Sequence, residues 1–194
     1  MSGLFEEPDD ATPLSPEERA GLKLAHITLR QELNEVEQQN IALAMSWAFG
    51  RKHNPVREPF GRGLHTRMFG DVWTWAGDYR ASNKNLGVAH GMIVPSLYAV
   101  FDNVGFWVDH QTFPPDEIAL RFHHGLVLVH PFPNGNGRWS RLMGDILAVR
   151  LGQETFTWSG GELADAGALR AQYIAALQAA DAHDFAPLIG FARS

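Results

Sequence analysis

The chain has 194 residues, no cysteine and a formal charge of −6. That length suits a single domain that buries roughly two-thirds of its unfolded surface, and the absence of thiols excludes disulfides and thiolate metal centres. Lys and Arg number 16 against 22 Asp and Glu, which argues against nucleic acid as the main partner, since that binding relies on clustered cations. The opening Met-Ser-Gly-Leu-Phe-Glu-Glu-Pro-Asp-Asp lacks the basic start and apolar run of a secretory signal. No apolar run is expected to span a bilayer, so a cytoplasmic protein without a membrane partner is the simplest expectation. Self-association stays open.

In chain order, Ser15-Pro-Glu-Glu18 reads as a helix start, with Ser as N-cap, Pro at the first position and Glu18 closing a capping box. Gly21 should end it. A longer helix is predicted from near Asn34 to Gly50, with Ile41, Ala44, Met45 and Ala48 at i, i+3, i+4, i+7. Residues 51–63, with Pro55, Pro59, Gly61 and Gly63, read as a loop. Leu64, Met68, Val72 and Trp75 then form an apolar stripe at helical spacing, and Phe69, Trp73 and Trp75 read as core.

Leu86-Gly-Val88 and Met92-Ile93-Val94 flank Ala89-His-Gly91 as two short β-prone pieces around a turn, predicting a hairpin. Ser96 is expected to cap a helix carrying Leu97, Phe101, Val104 and Val108. Pro114-Pro115 breaks the chain, and Asp116 and Glu117 suit the first turn of a helix whose Ile118, Phe122 and Val129 lead to His130. His123 and His124 read as structural, because no His-Glu-x-x-His spacing accompanies them. After the turn-rich stretch from Gly152 to Gly161, Leu163, Leu169, Tyr173, Ala176 and Leu177 suggest two closing helices. The expected fold is all-α with one small hairpin.

One stretch concentrates the chemistry: His130-Pro-Phe-Pro-Asn-Gly-Asn-Gly-Arg-Trp-Ser-Arg141. Taken alone, Pro-Asn-Gly-Asn-Gly is a surface turn. The fixed offsets around it say more. Gly135 and Gly137, both able to adopt φ > 0, flank Asn136 and would turn backbone N–H groups into an anion-binding concavity. Leu142, Ile146 and Val149 mark a helix whose N-terminus would add partial positive charge. Arg138 and Arg141 share its first turn, and two guanidinium forks suit a polyphosphate. His130, with an ordinary pKa of ~6.5, could take a proton from a hydroxyl. Phe132 would anchor the loop to the core. These residues describe a polyphosphate site beside a general base and leave open which bond breaks.

The stretch resembles the Fic family signature, His-Pro-Phe-x-Asp/Glu/Asn-Gly-Asn-Gly-Arg-x-x-Arg, at every fixed position, and the likeness extends upstream through residues 64–80; within the family the chain resembles the subgroup called mobile mystery protein B. The resemblance implies a Fic-type domain over 34–194, preceded by an N-terminal segment over 1–33 with an inhibitory role. It implies transfer of AMP from ATP to a Ser, Thr or Tyr hydroxyl of a target protein. His130 would be the base, Gly135, Asn136 and Gly137 would hold phosphates, and Arg138 and Arg141 would grip the β and γ phosphates. Asn134 stands where many members carry a Mg²⁺-binding acid, and an amide oxygen is a poorer ligand for that cation. Thr28 and Glu32 fit a Ser/Thr-x-x-x-Glu-Gly/Asn inhibitory motif, with Leu33 departing from it, so Glu32 would meet Arg141; Glu17 and Glu18 are weaker candidates. The alternative reading of Glu32 is a solvated surface acid. Leu86, Gly87, Val88 and Ile93 fall where the family has a target-docking flap, which would pair with peptide main chain. Two other functions remain in view: transfer of a different group, including the γ-phosphate, although relatives of that kind show Ala and Lys in the loop, and a non-catalytic nucleotide-binding module.

Overall fold

The computed structural model describes Leu4, residues 13–160 and residues 167–194. Pro16–Arg19 (α1), Arg30–Phe49 (α2), Glu58–Phe69 (α3), Ile93–His110 (α4), Pro115–Val129 (α5), Asn136–Arg150 (α6), Gly167–Asp181 (α7) and Ala186–Arg193 (α8) make an all-α fold, with 3₁₀ turns at His90–Met92 and Trp158–Gly160. The Ser15 capping box forms as expected, and Glu18 Oε2 accepts the Ser15 N–H at 2.7 Å.

Three local expectations change. The helix predicted from Asn34 begins four residues earlier, at Arg30, because Glu32 folds back to accept the Thr28 and Leu29 N–H groups at 3.1 and 3.2 Å and so caps the turn. It thus runs unbroken across the boundary drawn at 33/34, and Leu14, Ile27 and Leu33 are buried in the same core as the rest. The loop at 51–63 is shorter than expected, since Pro59 lies in the first turn of α3, where its missing N–H costs nothing. Gly70 then ends α3, so Val72 and Trp73 follow the helix and are buried beyond it.

The hairpin does not form. Residues 81–94 contain no strand, and an isolated antiparallel bridge joins Leu22 and Trp73. Residues 81–89 run as an irregular strap, and Ile93, placed in the flap, is buried at the start of α4, with Ser96 inside that helix rather than capping it. The apolar pieces serve α4's amphipathic face instead: Ile93, Leu97, Phe101 and Val104 repeat at helical spacing and are buried. The expectation of no membrane-length stretch is also amended. His90–His110, 21 residues, is long and apolar enough to cross a membrane by length and composition. Its inner face is part of the core, and Val94, Tyr98 and Phe106 are exposed on the outer one.

α5 and α6 pack against each other as a helical hairpin at the centre, α4 covers α5, α2 packs on α3, and α7 pairs with α8. Phe132 and Trp139, both buried, meet edge to face at 4.9 Å beneath the α5–α6 connection. Burying one such ring contributes about 1.5–3 kcal/mol.

Two histidines are sealed in this core. His65 and His123 are both pushed down to about 3 by burial, so folding holds them neutral. Below pH ~6.5 the unfolded chain therefore binds protons that the folded chain refuses, at a cost of about 2 kcal/mol per histidine by pH 5. Asp145 acts in the opposite sense. Burial pushes it up to about 6 against the Phe156 N–H and Trp158 indole that favour its charge, so it returns about 1 kcal/mol at pH 5, a contribution lost as pH rises through 6. Urea unfolding should show stability falling between pH 7.5 and pH 5, by at least the roughly 3 kcal/mol that these three groups contribute. A flat profile over that range would contradict the burial of the two histidines.

Candidate active site

The turn from α5 to α6 is built by pairing each backbone group that the helix ends release. His130 is the C-terminal cap of α5, left-handed at φ 51° and ψ 60°, and its N–H donates to the Leu126 carbonyl at 3.1 Å. Pro131 then prevents the helix from continuing. Asn136 spans the turn from the other side: its Oδ1 accepts the Phe132 N–H at 2.9 Å and its Nδ2 donates to the Phe132 carbonyl at 2.8 Å. This side chain, 2% exposed, is a structural clamp. Only its backbone N–H remains suited to the phosphate role expected of it.

Gly135 carries the positive φ, at 79°, and a Cβ there would lie 2.6 Å from the Phe69 ring, so both conformation and space require glycine. Gly137 differs from expectation. It sits within the first turn of α6 and does not share the left-handed conformation. The concavity is therefore one left-handed glycine followed by a helix end. The first intrahelical bond comes from the Trp139 N–H to the Gly135 carbonyl at 2.9 Å. The N–H groups of Asn136, Gly137 and Arg138 precede it and, as first-turn amides, suit an anion.

His130 is half-buried, and burial, with the Arg80 charge nearby, pushes its imidazole down to about 4 despite a hydrogen bond to the Val127 backbone carbonyl. The ring is neutral at physiological pH. Its N–H serves Val127, and the lone-pair nitrogen is the basic one.

The two arginines have separate supports. Arg138 lies 4.8 Å over the Phe69 ring and its Nη1 donates to Glu37 Oε2 at 2.6 Å. Arg141 stands 5.8 Å over the Tyr173 ring and hydrogen-bonds the Tyr173 hydroxyl, which in turn pairs with His123 Nε2 at 2.9 Å. Because His123 is neutral, the hydroxyl donates to it and accepts from Arg141. His124 pairs with Asp181 Oδ1 at 2.8 Å, so both histidines of that pair are occupied structurally.

Glu32 does not reach these arginines. It is exposed at the start of α2, capping its own helix, and hydrogen bonds from the Thr28 and Leu29 backbone N–H groups hold its carboxyl below the usual range. Thr28 contributes its backbone N–H to that cap. Glu18 closes its own capping box and pairs with Lys84, and exposed Glu17 accepts from the Ser15 hydroxyl. The acid at the site is Glu37, 4% exposed, which meets Arg138 rather than Arg141 and also accepts the Trp73 indole N–H at 2.6 Å. A sequence signal existed: Glu37 lies on the stripe of Leu33, Asn40, Ile41, Ala44 and Ala48, so an acid occupies a buried helical face.

A resident Mg²⁺ fits the loop poorly. Its acid position holds Asn134, whose neutral Oδ1 accepts the Gly135 N–H at 2.6 Å while its carbonyl meets His65 Nε2 at 3.1 Å. No group of three acids or histidines among the described residues could hold a metal. His65, missed in the sequence, supports the loop from below: it accepts the Gly77 N–H at Nδ1 and stacks on Phe132 with ring centres 3.7 Å apart. Of the flap residues, Leu86 is exposed, Val88 is half-buried with its N–H 3.4 Å from the Val129 carbonyl, and Gly87 touches His130.

Residues 57–148 match the Fic/DOC family. The chain carries a Fic/DOC family domain. Among relatives of the Fic domain, protein adenylyltransferase fic-1 of Caenorhabditis elegans is 35% identical over 171 residues, covering 83% of this chain and 32% of that protein. Protein adenylyltransferase Fic of Aedes aegypti is 32% identical over 96 residues, 46% of this chain and 19% of its own. The chain thus spans about a third or less of the length of these relatives. The Fic fold is shared with a solved C. elegans Fic-1 fragment at TM-score 0.67, with 23% identity, 90% of this chain and 51% of that one. BepC of Bartonella tribocorum, solved with bound AMPPNP, matches at TM-score 0.69 with 16% identity, 92% of this chain and 97% of that one.

The Asn136 clamp is open to a direct check. Asn136→Ala strands both backbone groups of buried Phe132 and should destabilise the domain by about 2–4 kcal/mol in chemical denaturation. A loss under ~0.5 kcal/mol, the level of ordinary surface substitutions, would show that the clamp is dispensable.

Proposed function

We propose that this chain is a protein adenylyltransferase that moves AMP from ATP to a side-chain hydroxyl of a target protein. The observation that carries the reading is the placement, across one turn, of a neutral imidazole at the end of α5 and an anion-suited helix start with Arg138 in its first turn and Arg141 in its second. The names of the relatives support it, as does a nucleotide analogue bound to a protein of the same fold.

In this reaction the target hydroxyl oxygen forms a bond to the α-phosphorus while the bond to the bridging oxygen breaks and pyrophosphate leaves. His130 accepts the hydroxyl proton, a contribution of roughly 10²–10⁴-fold. The amides at 136–138 and the two guanidiniums hold the phosphates and neutralise charge that grows on the departing pyrophosphate. Mg²⁺ would come with the nucleotide, and no step is assigned to it, since the Asn134 amide oxygen is engaged by the Gly135 N–H.

Glu37 would be the brake. Its buried carboxylate occupies one arm of a guanidinium that phosphate would need, and removing the partner of a buried charge is costly. Glu37→Gln keeps an acceptor for the Trp73 indole while removing the charge, so it separates inhibition from packing.

With ATP labelled at the α-phosphate, Glu37→Gln should transfer at least about tenfold more label to itself or to lysate proteins than the wild type, a change of ~1.4 kcal/mol. His130→Ala in the same background should transfer none. Transfer of γ-label instead would make the protein a kinase, and ATP binding without transfer in Glu37→Gln would make it a binding module. In a pH series, kcat/KM, which reports the uncomplexed enzyme, should keep its full value down to about pH 5, because His130 is pushed down to about 4. An acid limb at 6–7 would contradict that environment.

A further inference from the structure

Arg80 is a buried cation, 3% exposed, whose chemistry the proposed reaction leaves unused. Its guanidinium meets carbonyls from two separate segments. Nε donates to the His130 carbonyl at 2.8 Å and Nη2 reaches the Val129 carbonyl at 3.5 Å, both at the C-terminal end of α5. Nη1 donates to the Ser82 carbonyl at 2.8 Å and Nη2 to the Val88 carbonyl, both in the strap 81–89. The Arg80 backbone N–H adds a bond to the Pro131 carbonyl at 2.9 Å. One residue therefore fixes the consecutive carbonyls of His130 and Pro131.

A helix C-terminus leaves carbonyls without intrahelical donors and carries partial negative charge, which a buried guanidinium satisfies on both counts. Here that end is also where a non-glycine residue adopts φ 51°, a conformation that persists only when its surroundings over-determine it. The strap closes on the same point. Gly87, at φ 90°, lies so near that an added Cβ would sit 2.5 Å from His130 Cβ, 2.8 Å from the Val129 carbonyl oxygen and 2.9 Å from Arg80 Nη2.

We infer that Arg80 is a positioning residue for catalysis, holding the His130 backbone in its left-handed cap and seating the strap, through Gly87, against that residue. The inference rests on the adenylyl-transfer reading for its kinetic half. It acts on proton transfer and on the place where an acceptor hydroxyl must lie, and leaves the α6 amides and the two phosphate-binding arginines untouched. Lysine cannot substitute. A single ammonium on a flexible stem lacks the planar fork that serves two segments at once.

The test uses Arg80→Lys and Gly87→Ala, each in the Glu37→Gln background and beside wild type and Glu37→Gln alone. Hydrogen exchange by mass spectrometry should show faster exchange across 81–89 and 129–132 in Arg80→Lys, with α2 and α6 as protected as before. In α-label assays kcat should fall by about 10²-fold, the scale of an ångström-sized misplacement, while the ATP dissociation constant stays within about twofold. Gly87→Ala should reproduce the loss in kcat with the Arg80 side chain intact. Unchanged exchange in both segments would overturn the inference, and so would altered exchange with an unchanged kcat or an equal loss in ATP affinity. Should Glu37→Gln alone transfer no AMP, the adenylyl-transfer reading fails. The exchange measurement then still decides whether Arg80 holds the two segments together.

Discussion

The antiparallel packing of α5 on α6 brings two helix ends of opposite character to one turn. The end of α5 presents carbonyls and partial negative charge, while the start of α6 presents amides and partial positive charge. Each must be satisfied by a group of the opposite kind. At α5 the protein supplies it, with the Arg80 guanidinium on the His130 carbonyl and the His130 ring on Val127. At α6 the amides of 136–138 face the place where an anion would sit. The proposed base and the anion-suited amides are thus neighbours because two helices that must pack share one short connection.

The rest of the molecule keeps that connection from relaxing. Asn136 ties the turn to Phe132, Phe132 is gripped between His65 and Trp139, and His65 reaches both the Asn134 carbonyl and the Gly77 N–H. These bonds lie in surroundings that water does not reach, where each unmade bond is expensive. Arg141 is held from the far side by Tyr173, which links the α7–α8 pair to the start of α6. Glu37 enters from α2 and occupies Arg138 in the absence of phosphate. The site can therefore be organised and restrained by the same interaction.

Several of these features were legible in the residues. The apolar spacing around α5 and α6, the Ser15 capping box and the His130–Arg141 run each depend on neighbours a few positions apart, so the sequence displays them directly. Glu32 illustrates the limit. A five-residue pattern assigned it to the arginines, yet local chemistry used its carboxylate to cap α2. Glu37, outside that motif and marked only by its place on the buried stripe of α2, was the acid delivered to Arg138, 101 residues away in the chain. The β-prone pieces around His90 likewise became an irregular strap and the first turn of α4, because burying Ile93 on a helical face with Leu97 and Phe101 outweighed their strand preference.

The sequence by itself determined the helical class and picked out the candidate loop, with the histidine proposed as base and the two arginines, since all follow from periodicity or from chemistry within one twelve-residue run. Only the tertiary structure decided which acid faces the arginines, that Gly137 belongs to a helix turn while Gly135 alone takes the positive φ, that His65 and Tyr173 brace the loop, and that Arg80 joins the strap to His130. The physical reason is the same in each case. A buried polar group must find a partner wherever folding places one, and the partner's distance along the chain leaves no local trace.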